Sequence, residues 1–110
     1  SGLTLLMVAA AYGHERLAAT LLQRGASVDL RNSCGVTALM LAALNGRERV
    51  VELLLRHGAK IDQQANADFT ALMFAASRDH PAAVLCLLRA GADKELRTAA
   101  GRTALQVAKK

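Results

Sequence analysis

Histidine, cysteine and carboxylate side chains are the groups in this chain with chemistry to offer: His14, His57 and His80, Cys34 and Cys86, and nine acidic residues. A zinc-type site needs ligands paired at short spacing, as in Cys-x-x-Cys or His-x-x-x-His. No such pair exists here. His14 and His80 hold equivalent positions two structural units apart, so at ~10 Å per helix layer they stand about 20 Å from each other and share no ion. A catalytic thiol needs an adjacent base and a third group to orient it. Cys34 falls in a polar turn with no aligned histidine, and Cys86 falls in a row of leucines. Asp29, Asp62 and Glu95 recur at one spacing but in separate turns, where they are expected to stabilise the turn. There is no glycine-rich phosphate loop, carboxylate pair or Ser/His/Asp set. The chain is therefore expected to be no enzyme, and to take no metal, cofactor or small-molecule substrate.

The elements that carry these residues follow from a repeat. Thr4, Thr37, Thr70 and Thr103 are 33 residues apart, and so are Gly25, Gly58 and Gly91. Leu6, Leu39, Leu72 and Leu105 keep the same spacing, as do Ala9, Ala42, Ala75 and Ala108. The leucine pairs 21–22, 54–55 and 87–88 recur in register. One period reads as two short helices and a turn. Thr37 starts a helix that runs to about Asn45, and Gly46 breaks it. A second helix runs from about Glu48 to His57, with Val50, Val51, Leu54 and Leu55 on one stripe. Gly58 closes it in the left-handed conformation. In the third period Pro81 sits where the second helix starts, a position that tolerates proline because its missing N–H has no partner there. Asp79 replaces Gly13 and Gly46, and Asp is one of the few other residues that accepts the left-handed turn.

Hydrophobic residues make up 53% of the 110, yet Tyr12, Phe69 and Phe74 are the only aromatics, so the core must be built from Ala, Leu, Val and Met. That composition suits closely packed helices. One helix pair cannot bury its apolar stripe, but stacked pairs bury each other. The expectation is one all-α domain, a solenoid of stacked antiparallel helix pairs, with units near 1–31, 32–64, 65–97 and a partial 98–110.

The period, the run Gly35-Val36-Thr37-Ala38-Leu39-Met40-Leu41-Ala42-Ala43, the mid-unit Gly46, the leucine pair and the closing Gly-Ala resemble the ankyrin repeat. The likeness covers essentially the whole chain. It implies a stack with turn or hairpin fingers, and a job in binding other proteins. The sequence departs from the family's Thr-Pro-Leu-His in every copy. Leu5, Ala38, Ala71 and Ala104 replace proline; Met7, Met40, Met73 and Gln106 replace histidine. Methionine is expected to fill the space without the hydrogen bonds that the family's histidine makes, so that packing holds the units together.

The resemblance also implies where a partner docks: on the concave side, at the fingers and the inner-helix ends. Carried over position by position, these places hold Leu3, Tyr12, Arg31, Ser33, Cys34, Val36, Leu44, Asn45, Asn66, Phe69, Ser77, Arg78, Arg97 and Arg102. Ala11, Gln64, Ala67, Ala99, Ala100 and Lys110 fall at the same kinds of position. The row Leu3, Val36, Phe69 is apolar, and with Tyr12 and Leu44 it would form an interaction patch. Alternatively, Val36 and Phe69 only cover the neck of the finger. Arg78, Arg97 and Arg102 make the strip basic toward its end. The expected ligand is an extended protein segment or loop with apolar side chains and acidic residues near one end.

The net charge of +5 raises a nucleic-acid reading. Residues 1–96 carry ten basic and nine acidic side chains, whereas residues 97–110 add Arg97, Arg102, Lys109 and Lys110 and no acid. The excess is local, and stacking aromatics are missing from that end, so nucleic acid is the weaker alternative. Self-association is another, through an apolar face left by a fourth unit without its second helix. The chain is expected to be part of a longer protein. No apolar run approaches the ~18 residues that span a bilayer. No signal peptide is evident, and two cysteines make no disulfide framework, so an intracellular setting, cytoplasmic or nuclear, is expected.

Overall fold

The computed structural model describes residues 3–108. Ser1, Gly2, Lys109 and Lys110 lie outside them, and with them the expectations placed on Lys109 and Lys110.

Among the described residues seven α-helices follow one another: α1 (Leu5–Tyr12), α2 (Glu15–Gln23), α3 (Ala38–Leu44), α4 (Glu48–Arg56), α5 (Ala71–Ser77), α6 (Pro81–Arg89) and α7 (Ala104–Ala108). No strand is formed among the described residues. The odd-numbered helices pack on one another in series, α1 on α3 on α5 on α7. The outer helices form a second row, α2 on α4 on α6, and each also packs on the inner helix of its own pair. The result is a two-layer stack with extents of 38 × 27 × 20 Å.

Each inner helix starts on a threonine. The hydroxyls of Thr4, Thr37 and Thr70 accept from the backbone N–H three residues on, at 3.1, 3.3 and 3.3 Å. That satisfies one of the donors a helix start leaves free. Thr37 is the N-cap of α3, as its residue type suggests, and Asn45 and His57 are the C-caps of α3 and α4.

The methionines correct one expectation from the sequence. The sulfurs of Met40 and Met73 accept hydrogen bonds from the backbone N–H of Thr37 and Thr70, both at 3.4 Å. They complete a capping box of the kind normally made with Glu or Gln. Gln106 makes the same bond through Oε1 to the N–H of Thr103 at 2.9 Å. Sulfur is a weak acceptor, but the long flexible methionine side chain brings it within reach of that N–H. The packing part of the expectation stands, since Met7, Met40 and Met73 are each 1% exposed.

The inner layer packs closely because its contact positions are alanine. Ala9, Ala42 and Ala75 are fully buried, as are Ala10 and Ala43 beside the first two. The outer layer contributes Ala18, Val50, Val51, Leu54, Ala83 and Leu87 to the same core. Truncating one of the larger buried side chains, such as Leu54, would cost about 2–5 kcal/mol.

Successive layers also meet at the turns between inner and outer helices. Gly46 has φ +70°, and a Cβ there would lie 2.6 Å from Nδ1 of His80 in the next layer. Gly13 has φ +73°, and a Cβ there would lie 2.9 Å from Cδ of Arg47. Arg47 crosses that gap to donate from Nε to the carbonyl of Ala11 at 3.1 Å. Asp79 takes the third such position with φ 56°, and Pro81 follows at the start of α6.

A candidate partner-binding face along the fingers

Three fingers join the layers: residues 32–36, 65–69 and 98–102. Each is closed by a backbone bond from its first N–H to the carbonyl four residues on, at 2.9 Å for Asn32 to Val36, 2.8 Å for Ala65 to Phe69 and 2.8 Å for Thr98 to Arg102. The first and third fingers are shaped by a side chain at their base. The Asn32 amide oxygen accepts from the N–H of Cys34 and of Val36, at 2.9 and 3.0 Å. The Thr98 hydroxyl does the same for Ala100 and Arg102, at 3.2 Å each. Such side chains take the place of backbone partners in a tight turn. The middle finger has Ala65 at its base and no such acceptor. It turns instead through two left-handed residues, Ala67 with φ 60° and Asp68 with φ 62°. Its sister glycines Gly35 and Gly101 carry the single left-handed turn of the other two.

The fingers are bonded to each other. The N–H of Asn66 donates to the carbonyl of Cys34 at 3.0 Å, and that of Ala99 to the carbonyl of Ala67 at 2.8 Å. These bonds carry no side-chain signature, which is why the sequence did not disclose them. Carboxylates make a second tie at the far end of each unit. Asp29 accepts from the N–H of Lys60 at 3.0 Å, and Asp62 from that of Asp93 at 2.9 Å. Asp29 and Asp62 therefore stabilise contacts between layers rather than their own turns, whereas the N–H of Glu95 donates to the Asp93 carboxylate within its own turn, at 2.9 Å.

The fourteen residues expected at a binding face fall into three kinds of place. Leu3, Tyr12, Ser33, Cys34, Asn45, Asn66, Arg78 and Arg102 are exposed. Tyr12 is the most open of the large hydrophobic side chains among the described residues at 67%, with its ring 6.3 Å from that of His14. Val36, Leu44, Phe69 and Ser77 are half-buried. Val36 and Phe69 pack against the core, and the Phe69 ring lies 5.2 Å from that of Phe74. The apolar row is thus continuous with the core at two of its three places and open at Leu3. Arg31 and Arg97 are exposed but already bonded. Arg31 donates to the carbonyls of Gly35 and Gln64 at 3.3 and 3.0 Å, and Arg97 to that of Gly101 at 2.7 Å. Gln64, their counterpart in the middle unit, donates to the carbonyl of Asp68 at 3.0 Å. Asn45 and Ser77 bond back to their own helices.

Two of the histidines are held in structural roles. The His57 ring bonds the carbonyl of Leu53 at 3.0 Å, and His80 covers Gly46. Burial pushes the Cys86 thiol above its usual pKa, with Glu52 and Glu48 adding to the shift and Arg89 opposing it. Cys34 is a free thiol on an exposed finger. Among the described residues no group of three His, Cys, Asp or Glu side chains is placed to hold a metal ion.

Two family models, both described as ankyrin repeats, match residues 1–65 and 54–108. The chain belongs to the ankyrin repeat family. Its helix pairs, its fingers and the regular stacking of its layers are those of an ankyrin stack. No curated protein matches the chain. Ankyrin repeats are in general protein–protein interaction modules and are typically non-enzymatic. No helix among the described residues is long and apolar enough to cross a membrane.

Proposed function

We propose that this ankyrin stack binds a partner protein along the face made by its fingers and inner-helix ends. The observation that carries the reading is a row of exposed side chains without a core role, on a backbone held rigid by finger-to-finger hydrogen bonds. Tyr12, Asn45 and Arg78 occupy one position in successive units, with Leu3, Ser33, Cys34, Asn66 and Arg102 at the fingers beside them. A rigid platform loses little conformational entropy on binding, and exposed Tyr and Arg are side chains that commonly dominate binding energy.

The burial of each residue refines the ligand. Apolar contact is offered at the first unit by Leu3 and Tyr12, and only in part by Val36, Leu44 and Phe69. Free positive charge is offered by Arg78 and Arg102, because Arg31 and Arg97 spend part of theirs on finger carbonyls. The partner is an extended segment or loop, apolar where it meets the first unit and acidic where it meets the third. The two free thiols support an intracellular setting.

The test is affinity capture with the wild type, Tyr12→Ala, Arg78→Glu and an outer-surface control, Arg56→Glu. All three positions are exposed, so the variants keep the fold. The partner should be lost with the first two and kept with the control. Retention by both Tyr12→Ala and Arg78→Glu overturns the assignment.

A further inference from the structure

The outer layer carries a second surface, an open groove of about 460 Å³ between α4 and α6. Its depth comes from side-chain size. On the α6 side it is lined by Ala82, Cys86 and Ala90, at the places where α4 carries Arg49, Leu53 and His57. The two helices that wall it already pack on each other and on their own inner helices, α4 on α3 and α6 on α5. Leu55 of α4 and Cys86 of α6 are half-buried and pack against the core, so they form the floor. Leu85 stands on the rim, 46% exposed, where α4 has Glu52. Glu52 is exposed although α6 packs on α4, so that place faces outward within the stack.

The charges around this floor are sorted by sign. Glu48 opens α4 and Glu52 follows one turn on, whereas Arg56 and Arg89 are the last residues of α4 and α6. All four line the groove. The two carboxylates add to the upward push on the Cys86 thiol and Arg89 opposes it, which sets all three around the floor. From Glu48 to Arg56 the helix rises ~12 Å, the span of about four residues of extended chain.

We infer that the groove between α4 and α6 docks a short extended segment of a second partner protein, with a basic residue at the Glu48 and Glu52 end, apolar side chains over Leu55, Leu85 and Cys86, and an acidic residue at the Arg56 and Arg89 end. The apolar seat supplies the contact area, and the opposed charges fix the direction in which the segment lies. The chain's own Lys60-Ile61-Asp62 has the same order of side chains. Ile61 packs against the core and the Asp62 carboxylate accepts from the N–H of Asp93, so a second copy does not present that segment.

The test selects a library of random dodecapeptides on the full chain, with counter-selection on a variant whose groove is filled as in α4: Ala82→Arg with Cys86→Leu and Ala90→His. An outer helix already holds those side chains at the same places in α4, and circular dichroism checks the fold. The enriched peptides should share the order basic, apolar, acidic. In anisotropy titrations of the best of them, Glu48→Lys with Glu52→Lys, and separately Arg56→Glu, should each weaken binding by about tenfold or more. These positions are exposed, so the variants keep the fold. Tyr12→Ala and Arg78→Glu should change nothing, which separates this groove from the finger face. Saturating peptide should slow alkylation of Cys86 on the groove floor and leave Cys34 on its finger unchanged. No enrichment, enrichment without that order of side chains, equal binding by the charge-reversed variants, or an unchanged Cys86 rate overturns the inference. So does a concentration-dependent dimer in sedimentation that the filled groove abolishes, which would make a second copy the occupant.

Discussion

Gly46→Ala and Gly58→Ala are the same chemical change at two left-handed turns, and the stack predicts unequal costs. Gly58 has φ +86° and nothing within 4 Å of an added Cβ. Alanine there pays the left-handed penalty of about 1–2 kcal/mol, offset by about 0.4–1 kcal/mol from a less flexible unfolded chain. The net is a loss of about 0.5–1 kcal/mol. Gly46 pays the same backbone cost at φ +70°, but its Cβ would sit 2.6, 2.9 and 3.0 Å from Nδ1, Cγ and Cε1 of His80. The imidazole must swing away, an overpacking cost of about 1–3 kcal/mol more. His80→Ala removes the ring and keeps the backbone bond from the His80 N–H to the Ala75 carbonyl. In that background Gly46→Ala should cost no more than Gly58→Ala does. Urea unfolding of the four proteins of the cycle, plus Gly58→Ala, gives the numbers, with a constant m-value as the check on two-state behaviour. Equal losses for Gly46→Ala and Gly58→Ala, or a Gly46→Ala penalty that survives His80→Ala, would refute the close contact between layers.

The other predictions concern the caps, the fingers and the thiols. Met40→Leu keeps the volume but leaves the buried Thr37 N–H without its sulfur acceptor, so unfolding should show a loss of about 1–3 kcal/mol; a neutral result would reduce the sulfur to a space filler. Asp68→Gly relieves a left-handed side chain at φ 62° and should stabilise the chain by up to ~1 kcal/mol in the same assay. Iodoacetamide at pH 8 followed by mass spectrometry should modify the exposed Cys34 before Cys86. Burial keeps the Cys86 thiol protonated, so its rate should climb only as the pH rises above the ordinary thiol value of 9.0.

The stack was legible in the sequence because each of its devices is a side chain at a fixed spacing. Thr37 and Thr70 cap, Ala42 and Ala75 let helices approach, and Pro81 marks a helix start. What stayed hidden runs through the backbone or through an unusual acceptor. The bonds from Asn66 to Cys34 and from Ala99 to Ala67 involve main-chain atoms only. The sulfur caps of Met40 and Met73 look like plain core residues in sequence. The middle finger's double left-handed turn had one visible sign, Asp68 in a glycine place. The candidate face was legible as positions, not as exposures. The sequence does not show that Phe69 leans on Phe74, or that Arg31 and Arg97 are tied to their fingers. Those contacts move the weight of the proposed face toward Tyr12, Arg78 and Arg102.

Hydrogen–deuterium exchange on the free chain and on its complex with the captured partner tests the central claim most directly. The account predicts new protection over the finger tips 33–34 and 66–67 and over the ends of α1, α3 and α5, with α2 and α4 unchanged. Protection confined to α2 and α4, with the fingers exchanging as in the free chain, would contradict it.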